Sequence, residues 1–174
     1  NVTIINPFEI FAQLLSMAIT APRLHNLNSW LVRAQGVSLG KPLNVPADNW
    51  ILCGYGRMGY WLHKYMTLHG SRPLIIDPDI DESTGVEHYI QGYADHKTLS
   101  SAGLANASGI VAGTDSDTRN LNILMTAQLL KSDAFTIVRQ NHHENQLAFD
   151  AADANLILQP SLTIGRRILK HLIS

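Results

Sequence analysis

The chain has 174 residues, of which 45% are hydrophobic and 16% charged, and its formal net charge is -1. This length suffices for one domain with a sizeable core plus an extension. The near-neutral charge argues against nucleic-acid binding, which usually requires an excess of basic residues, so we expect no nucleic acid among the partners. No apolar run reaches the roughly 18 residues needed to span a bilayer, so we expect a soluble chain. Because the sequence begins with Asn1 rather than methionine, we expect it to be part of a longer protein.

Residues 1–48 precede the main pattern and are predicted to form a helical extension and a linker. Asn6 followed by Pro7 is typical of a helix start, because the first can cap the helix and the second suits its first turn. Two amphipathic segments predict two helices within residues 1–34. The glycines and prolines of residues 35–48 indicate the linker.

From residue 49 onward, short apolar segments alternate with helical patterns. Short apolar strands are expected when both faces of a parallel sheet are covered. Six such segments predict an α/β fold, a Rossmann-like doubly wound parallel sheet of six strands in the order 3-2-1-4-5-6, with ligand bound outside the carboxyl ends of strands 1 and 4. Strands are predicted near 50–53, 73–77, 87–91, 108–113, 134–139 and 155–158, and helices near 57–69, 96–102, 117–131, 142–151 and 161–173.

A glycine motif follows the first of these strands and opens the next helix. Gly54 permits the tight turn, Gly56 lets the backbone approach a pyrophosphate, and Gly59 lets the helix pack closely on the strand. The helix directs its N-terminal N–H groups at the phosphates. Roughly 20 residues later the second strand ends in Asp77, whose carboxylate can bind a ribose hydroxyl and repel a 2′-phosphate. The pattern predicts a dinucleotide site formed by Gly54, Tyr55, Gly56, Arg57, Met58, Gly59 and Asp77.

Residues at the ends of other predicted strands face the same edge of the sheet. Thr114 and Asp115 end strand 4, although Asp115 or Ser116 can also simply cap the following helix. Arg139 ends strand 5 and can contact a phosphate or pair with an acid. The remaining candidates follow strands 2 and 3, and they are Pro78, Ala94 and Asp95.

Neither a catalytic site nor a metal site is predicted from the sequence. An oxidoreductase needs an acid or base beside the nicotinamide. Tyr60 and Lys64 have the spacing of a short-chain dehydrogenase pair, but they lie on the helix that follows the glycine loop and away from that position. The single cysteine, Cys53, lies in a predicted core strand and is interpreted as a buried thiol. We therefore predict a nucleotide sensor rather than an enzyme, with an NAD-dependent oxidoreductase as an alternative.

An ordered series of motifs runs through the second part of the chain, namely the glycine loop, Ile75-Ile76-Asp77, Gly92-Tyr93-Ala94-Asp95, Leu99 to Leu104, Ala107 to Thr114, Asp117 to Asn120, Ile137-Val138-Arg139 and Ala152 to Pro160. With this series, residues 49–172 resemble the N-terminal lobe of the RCK family (regulator of K⁺ conductance, also called KTN or TrkA-N). One departure is Tyr93, which replaces the aspartate of the family's Gly-Asp turn. From the resemblance we assign residues 49–174 to an RCK N-lobe-like nucleotide-binding domain that ends in a crossover helix.

The resemblance implies a cytoplasmic regulatory domain at the inner face of the membrane, belonging to a K⁺ channel or K⁺ transport protein. It implies binding of NAD(H), or of AMP, ADP or ATP, coupled to gating. A regulatory domain of a cation/proton antiporter is the alternative within the same family. The family also forms homodimers or larger rings, and we expect the helix from Ser161 to Ile173 to form the contact. Its apolar residues exceed what one core-facing stripe needs, and they include Leu162, Ile164, Ile168, Leu169 and Leu172.

Overall fold

Six parallel strands pair into one sheet, which forms the centre of the described residues. The computed structural model describes residues 6–20, 45–130 and 133–160. The strand order is 3-2-1-4-5-6, which confirms the predicted sheet, and Ile51 in the first strand pairs with Leu74 on one side and Ile110 on the other. The strands are β1 (Trp50–Cys53), β2 (Leu74–Asp77), β3 (Tyr89–Gln91), β4 (Gly109–Ala112), β5 (Phe135–Arg139) and β6 (Leu156–Leu158).

Helices cover both faces of the sheet, so the central strands β1 and β4 are buried along their whole length. This double burial explains why these strands are uniformly apolar instead of alternating with polar residues. The helices are α1 (Pro7–Thr20), α2 (Arg57–Leu68), α3 (His96–Ser101), α4 (Asp117–Leu129) and α5 (Gln146–Ala151), with short 3-10 turns at Glu82–Thr84, Leu104–Asn106 and His143–Asn145.

Alternate strand residues pack against two separate groups of helices. On one face Leu52, Val111 and Ile137 share a cluster with α1 and α2. On the other face the cluster includes Cys53 and Ile110, together with residues of α3, α4 and α5. The period of two follows from the pleat of a strand, which directs successive side chains to opposite faces.

Helix α1, which precedes the family-like region, packs into the core of the sheet domain. Asn6 caps this helix by accepting a hydrogen bond from Phe8 N at 3.1 Å, as the sequence predicted. Ala12 and Leu15 are buried in the same cluster as Leu158 of β6. The second predicted N-terminal helix, most of the linker and the helix predicted at 161–173 lie outside the described residues.

Within residues 6–20, 45–130 and 133–160, no helix combines the length and the apolar character that a membrane crossing requires. The same residues contain no group of three or more histidine, cysteine or acidic side chains placed to hold a metal ion.

Candidate functional site

In the glycine loop between β1 and α2, Gly54 forms the tight turn and Gly59 the close helix–strand contact that the sequence predicted. Gly54 has a φ of 101°, a conformation that L side chains rarely adopt, and its N–H donates to the carbonyl of Ile76 at 2.8 Å. A Cβ on Gly59 would lie 2.0 Å from the carbonyl oxygen of Gly54. Helix α2 can therefore approach the end of β1 this closely only because position 59 carries no side chain.

The middle glycine of the loop, Gly56, faces open space. A Cβ placed on Gly56 would meet no described atom within 4 Å, and the residue has an ordinary φ of -69°. Among the described residues no side chain caps α2 at this end, although Asp95 caps α3 and Ser116 caps α4. The first N–H groups of α2 are therefore left for solvent or a ligand, and the helix dipole favours an anion there.

Asp77 lies at the end of β2, where its carboxylate is joined to the glycine loop. One oxygen accepts the backbone N–H of Tyr55 at 2.7 Å, and the other accepts that of Asp79 at 2.8 Å. A carboxylate offers about four lone-pair positions, so each oxygen retains capacity for a further donor such as a ribose hydroxyl. The side chain is half-buried, which leaves it reachable from the edge of the sheet.

A cleft of about 260 Å³ opens at the carboxyl ends of β1, β2 and β4. This is the edge where the reversal of strand order places ligands in doubly wound sheets. The lining includes several residues outside the predicted set, notably Tyr93, Arg119, Asn122 and Thr126. Five predicted residues also line it, namely Gly54, Pro78, Ala94, Asp95 and Thr114.

Two side chains that the sequence prediction omitted meet across this cleft. The guanidinium carbon of Arg119 lies 5.6 Å from the ring centroid of Tyr93, a cation–π distance. Arg119 and Ile123 are four residues apart on α4 and so lie on one face of the helix, but the sequence did not show that this face is the one toward the cleft. Asp95 contributes chiefly as a cap, because its carboxylate accepts Thr98 N at 2.8 Å. That hydrogen bond is the main reason why the pKa of Asp95 is lowered.

The loop after β4 is held in place by Asn120, which is fully buried. Its side-chain oxygen accepts the N–H of Thr114 at 2.9 Å, and its amide nitrogen donates to the carbonyl of Arg139 at 2.8 Å. Asn120 therefore ties the ends of β4 and β5 together beside the cleft. Ser116 caps α4 through Arg119 N at 3.4 Å, which matches one of the two capping possibilities, while Asp115 is exposed.

Asp117, the first residue of α4, binds the loop that follows β5. Its carboxylate accepts four hydrogen bonds, from Asn141 N and Nδ2 at 2.6 and 2.9 Å, from His142 N at 3.0 Å and from Asn145 Nδ2 at 2.7 Å. Burial acts to raise the pKa of this carboxyl, but these hydrogen bonds outweigh it and the pKa is lowered. The role of Asp117 is therefore to join two loops as a carboxylate.

Arg57 and Arg139, predicted as ligand residues on different elements, converge on one aromatic ring. Their guanidinium carbons lie 5.1 and 4.7 Å from the ring centroid of Phe8 in α1. Burial, followed by repulsion from Arg57, lowers the pKa of Arg139, while Asp115 and Asp117 act in the opposite direction. A guanidinium nevertheless stays protonated at all physiological pH values.

Two further residues of the glycine region have their side chains in the core. Met58 is fully buried, and its methyl group would lie 2.5 Å from a Cβ placed on Gly113. A ligand can therefore reach Met58 only through its backbone N–H. Cys53 is also buried, which confirms the interpretation as a buried core thiol, and burial raises the pKa of this thiol to about 12.

Comparison with known proteins supports the same family. The TrkA-N domain model matches residues 50–160. An uncharacterized protein of Methanothermus fervidus is 28% identical over 140 residues, which cover 76% of this chain and 22% of that protein. This chain thus spans about a fifth of the length of that relative.

Two solved structures of GsuK are similar to this chain. A crystal structure of GsuK bound to ADP has a TM-score of 0.71 at 20% identity, covering 99% of this chain and 39% of that one. The GsuK channel bound to NAD has a TM-score of 0.63 at 26% identity, covering 77% of this chain and 24% of the channel. At 20% identity the first comparison shows a shared fold alone, and the second is similar in sequence as well, at 26% identity. Because the family model covers well over half of the sequence, the chain belongs to the TrkA-N domain family.

Proposed function

We propose that this chain is the nucleotide-binding part of a regulatory domain in a K⁺ channel or K⁺ transport protein, and that it binds NAD(H) or an adenine nucleotide. The observation that carries the proposal is the glycine loop. Gly56 leaves the uncapped N-terminus of α2 open, and Asp77 lies beside it with unused acceptor positions. This arrangement suits a ligand that has both a diphosphate and a ribose.

Similarity to a nucleotide-bound channel supports the choice of ligand. GsuK was solved with NAD at 26% identity to this chain, and with ADP in a structure of the same fold. The cleft of about 260 Å³ is lined by Tyr93, Ile123 and Pro78, the residue that follows Asp77. We therefore expect this cleft to accept the adenine end of the nucleotide. The lining of the cleft is predominantly apolar, which suits a planar base.

The proposed role is sensing without turnover. A ligand changes a conformational equilibrium only by its difference in affinity for the two states, so a nucleotide would act on a membrane partner by favouring one arrangement of the assembly. The partner would be the transmembrane part of the same or another chain, and we infer from the family resemblance that the domain lies at the cytoplasmic face.

Isothermal titration of the chain with NADH, NAD⁺ and ADP tests ligand binding directly. We expect saturable 1:1 binding of at least one of them. Absence of heat and of any thermal stabilisation at millimolar ligand would contradict the proposal. Incubation of bound NADH with a panel of small carbonyl compounds tests the sensing role, for which we expect no oxidation of NADH. NADH oxidation that is abolished by a single substitution would instead support the oxidoreductase alternative.

Assembly is the second part of the proposal. We infer that the chain forms homodimers, or larger rings, through the segment from Ser161 to Ile173, since closed two-fold dimers are the commonest symmetric oligomers. Replacing Ile168 and Leu172 with glutamate should convert the dimer to a monomer because charges would face an apolar contact. Light scattering at micromolar concentration is the measurement, and a monomeric parent chain would contradict the dimer.

A further inference from the structure

The contact of Phe8 with two arginines is the feature that the proposed function leaves unexplained. Phe8 is 7% exposed and lies in α1, which precedes the residues matched by the family model. Arg57 begins α2 at the glycine loop, and Arg139 ends β5. Three segments that are distant in sequence therefore meet at one aromatic ring beside the carboxyl edge of the sheet.

The two guanidinium groups repel each other, and the carboxylates of Asp115 and Asp117 act against that repulsion at Arg139. Both cations approach the same ring, and Arg57 acts on Arg139 by repulsion. Arg139 is 9% exposed, and its Nε has no hydrogen-bond partner among the described residues. A buried donor on a cation without a partner is unfavourable unless a compensating group joins it.

The ring of Phe8 supplies part of that compensation. The negative face of an aromatic ring attracts a guanidinium, and the attraction is greater where water is excluded. A ring does not use the N–H donors at the edge of the guanidinium plane, which stay free for an anion. A phosphate group would use those donors and relieve the repulsion between the two cations.

We propose that Phe8 is a positioning residue of the nucleotide site: by holding the side chains of Arg57 and Arg139 together, it prepares them for the phosphates of the ligand and links α1 to binding. This inference rests on the proposed function. Its consequence is reciprocal, because any group whose docking strengthens ligand binding is itself stabilised by the ligand.

Helix α1 is also held against α2 by hydrogen bonds that involve neither arginine. The hydroxyl of Tyr65 in α2 donates to Glu9 at 3.0 Å and accepts from Gln13 Nε2 at 2.5 Å. These bonds fix α1 along α2, so α1 can remain docked when the ring of Phe8 is lost. Substitution of Phe8 therefore separates the positioning of the arginines from the docking of the helix.

The test compares Phe8→Leu with Phe11→Leu in the 174-residue chain. Phe11 lies on the same helix and packs partly buried against the same core, yet it has no cation–π contact with either arginine. Phe8→Leu should weaken ADP binding roughly threefold to thirtyfold, the range of a cation–π contact, while adenosine binding is unchanged. Phe11→Leu should leave both affinities unchanged. Phe8→Tyr keeps the aromatic ring and should therefore retain the wild-type affinity for ADP.

Hydrogen exchange of the wild-type chain provides a readout that needs no variant. ADP should slow amide exchange in residues 7–20, whereas adenosine, which has no phosphate, should not. Three results would each overturn the inference and leave the proposed function standing. They are a wild-type ADP affinity in folded Phe8→Leu, an equal loss of ADP affinity in both leucine variants, and unchanged amide exchange in α1 when ADP is bound. If the wild-type chain bound neither ADP nor NAD(H), the proposed function would fail, and this inference with it.

Discussion

The carboxylate of Asp77 accepts a hydrogen bond from the backbone N–H of Tyr55 at 2.7 Å, which joins the end of β2 to the glycine loop after β1. The bond fixes a negative charge beside the uncapped start of α2. Two requirements of a dinucleotide site, a place for phosphate and an acceptor for ribose, are therefore set at one edge of the sheet.

This charge predicts the choice between nicotinamide cofactors. A carboxylate at Asp77 accepts hydrogen bonds from a ribose but repels a 2′-phosphate, so NAD(H) should bind at least about tenfold more tightly than NADP(H). Competition titration gives the ratio, and Asp77→Asn should reduce it because the charge is lost. NADP(H) displacing NAD(H) from the wild-type chain would be the opposite result.

Close packing at Gly59 predicts a large effect of one methyl group on stability. A Cβ at this position would overlap the carbonyl oxygen of Gly54, which is backbone and cannot rotate away. Gly59→Ala should lower the free energy of unfolding by about 1–3 kcal/mol, as overpacking does in other cores. The matched control is Gly56→Ala, whose methyl group would meet open space. Urea unfolding should give unequal midpoints for the two variants, and equal midpoints would count against the packing role.

The hydrogen bonds to Asp117 predict a stability that depends on pH. The pKa of Asp117 is lowered from its ordinary value of 3.8, so the folded state favours the carboxylate. The stabilisation is fully present above the unfolded-state pKa and is lost as the pH falls through the lower folded-state pKa.

Asp117→Asn should therefore lower the free energy of unfolding by about 1–3 kcal/mol at pH 7. The difference from wild type should shrink as the pH falls below 3.8 and on through the lower folded-state pKa, because Asp117 becomes protonated first in the unfolded and then in the folded state. Urea unfolding at several pH values measures this difference. A difference that stays constant down to the acid limit would mean that the charge of Asp117 has no part in holding the loop.

The sheet and the glycine loop could be predicted because their signals are local. Short apolar strands and the spacing of Gly54, Gly56, Gly59 and Asp77 each depend on neighbouring residues and on simple periodicity. Tyr93 was visible as a departure from the family pattern, but its partner Arg119 was not predicted. That pairing depends on how α4 faces the cleft, which a strand order does not specify.

Long-range contacts were the part that the sequence did not predict. Helix α1 was expected as an extension, but its place in the same apolar cluster as Val111 and Ile137 depends on which face of the sheet has room for it. The convergence of Phe8 on an arginine of β5 follows from that packing. Asp117 was noted as the start of the motif Asp117 to Asn120, whereas its hydrogen-bond partners lie in the loop at residues 141–145.

Calorimetric titration of Gly56→Val with ADP tests the central claim most directly. The substitution adds a side chain where no described atom lies within 4 Å and the φ is ordinary, so the fold and the unfolding midpoint should change little. The same side chain would occupy the space through which phosphates approach the first N–H groups of α2. We expect ADP and NAD(H) binding to be lost in a folded protein; wild-type affinity in that variant would contradict the assignment of the glycine loop as the nucleotide site.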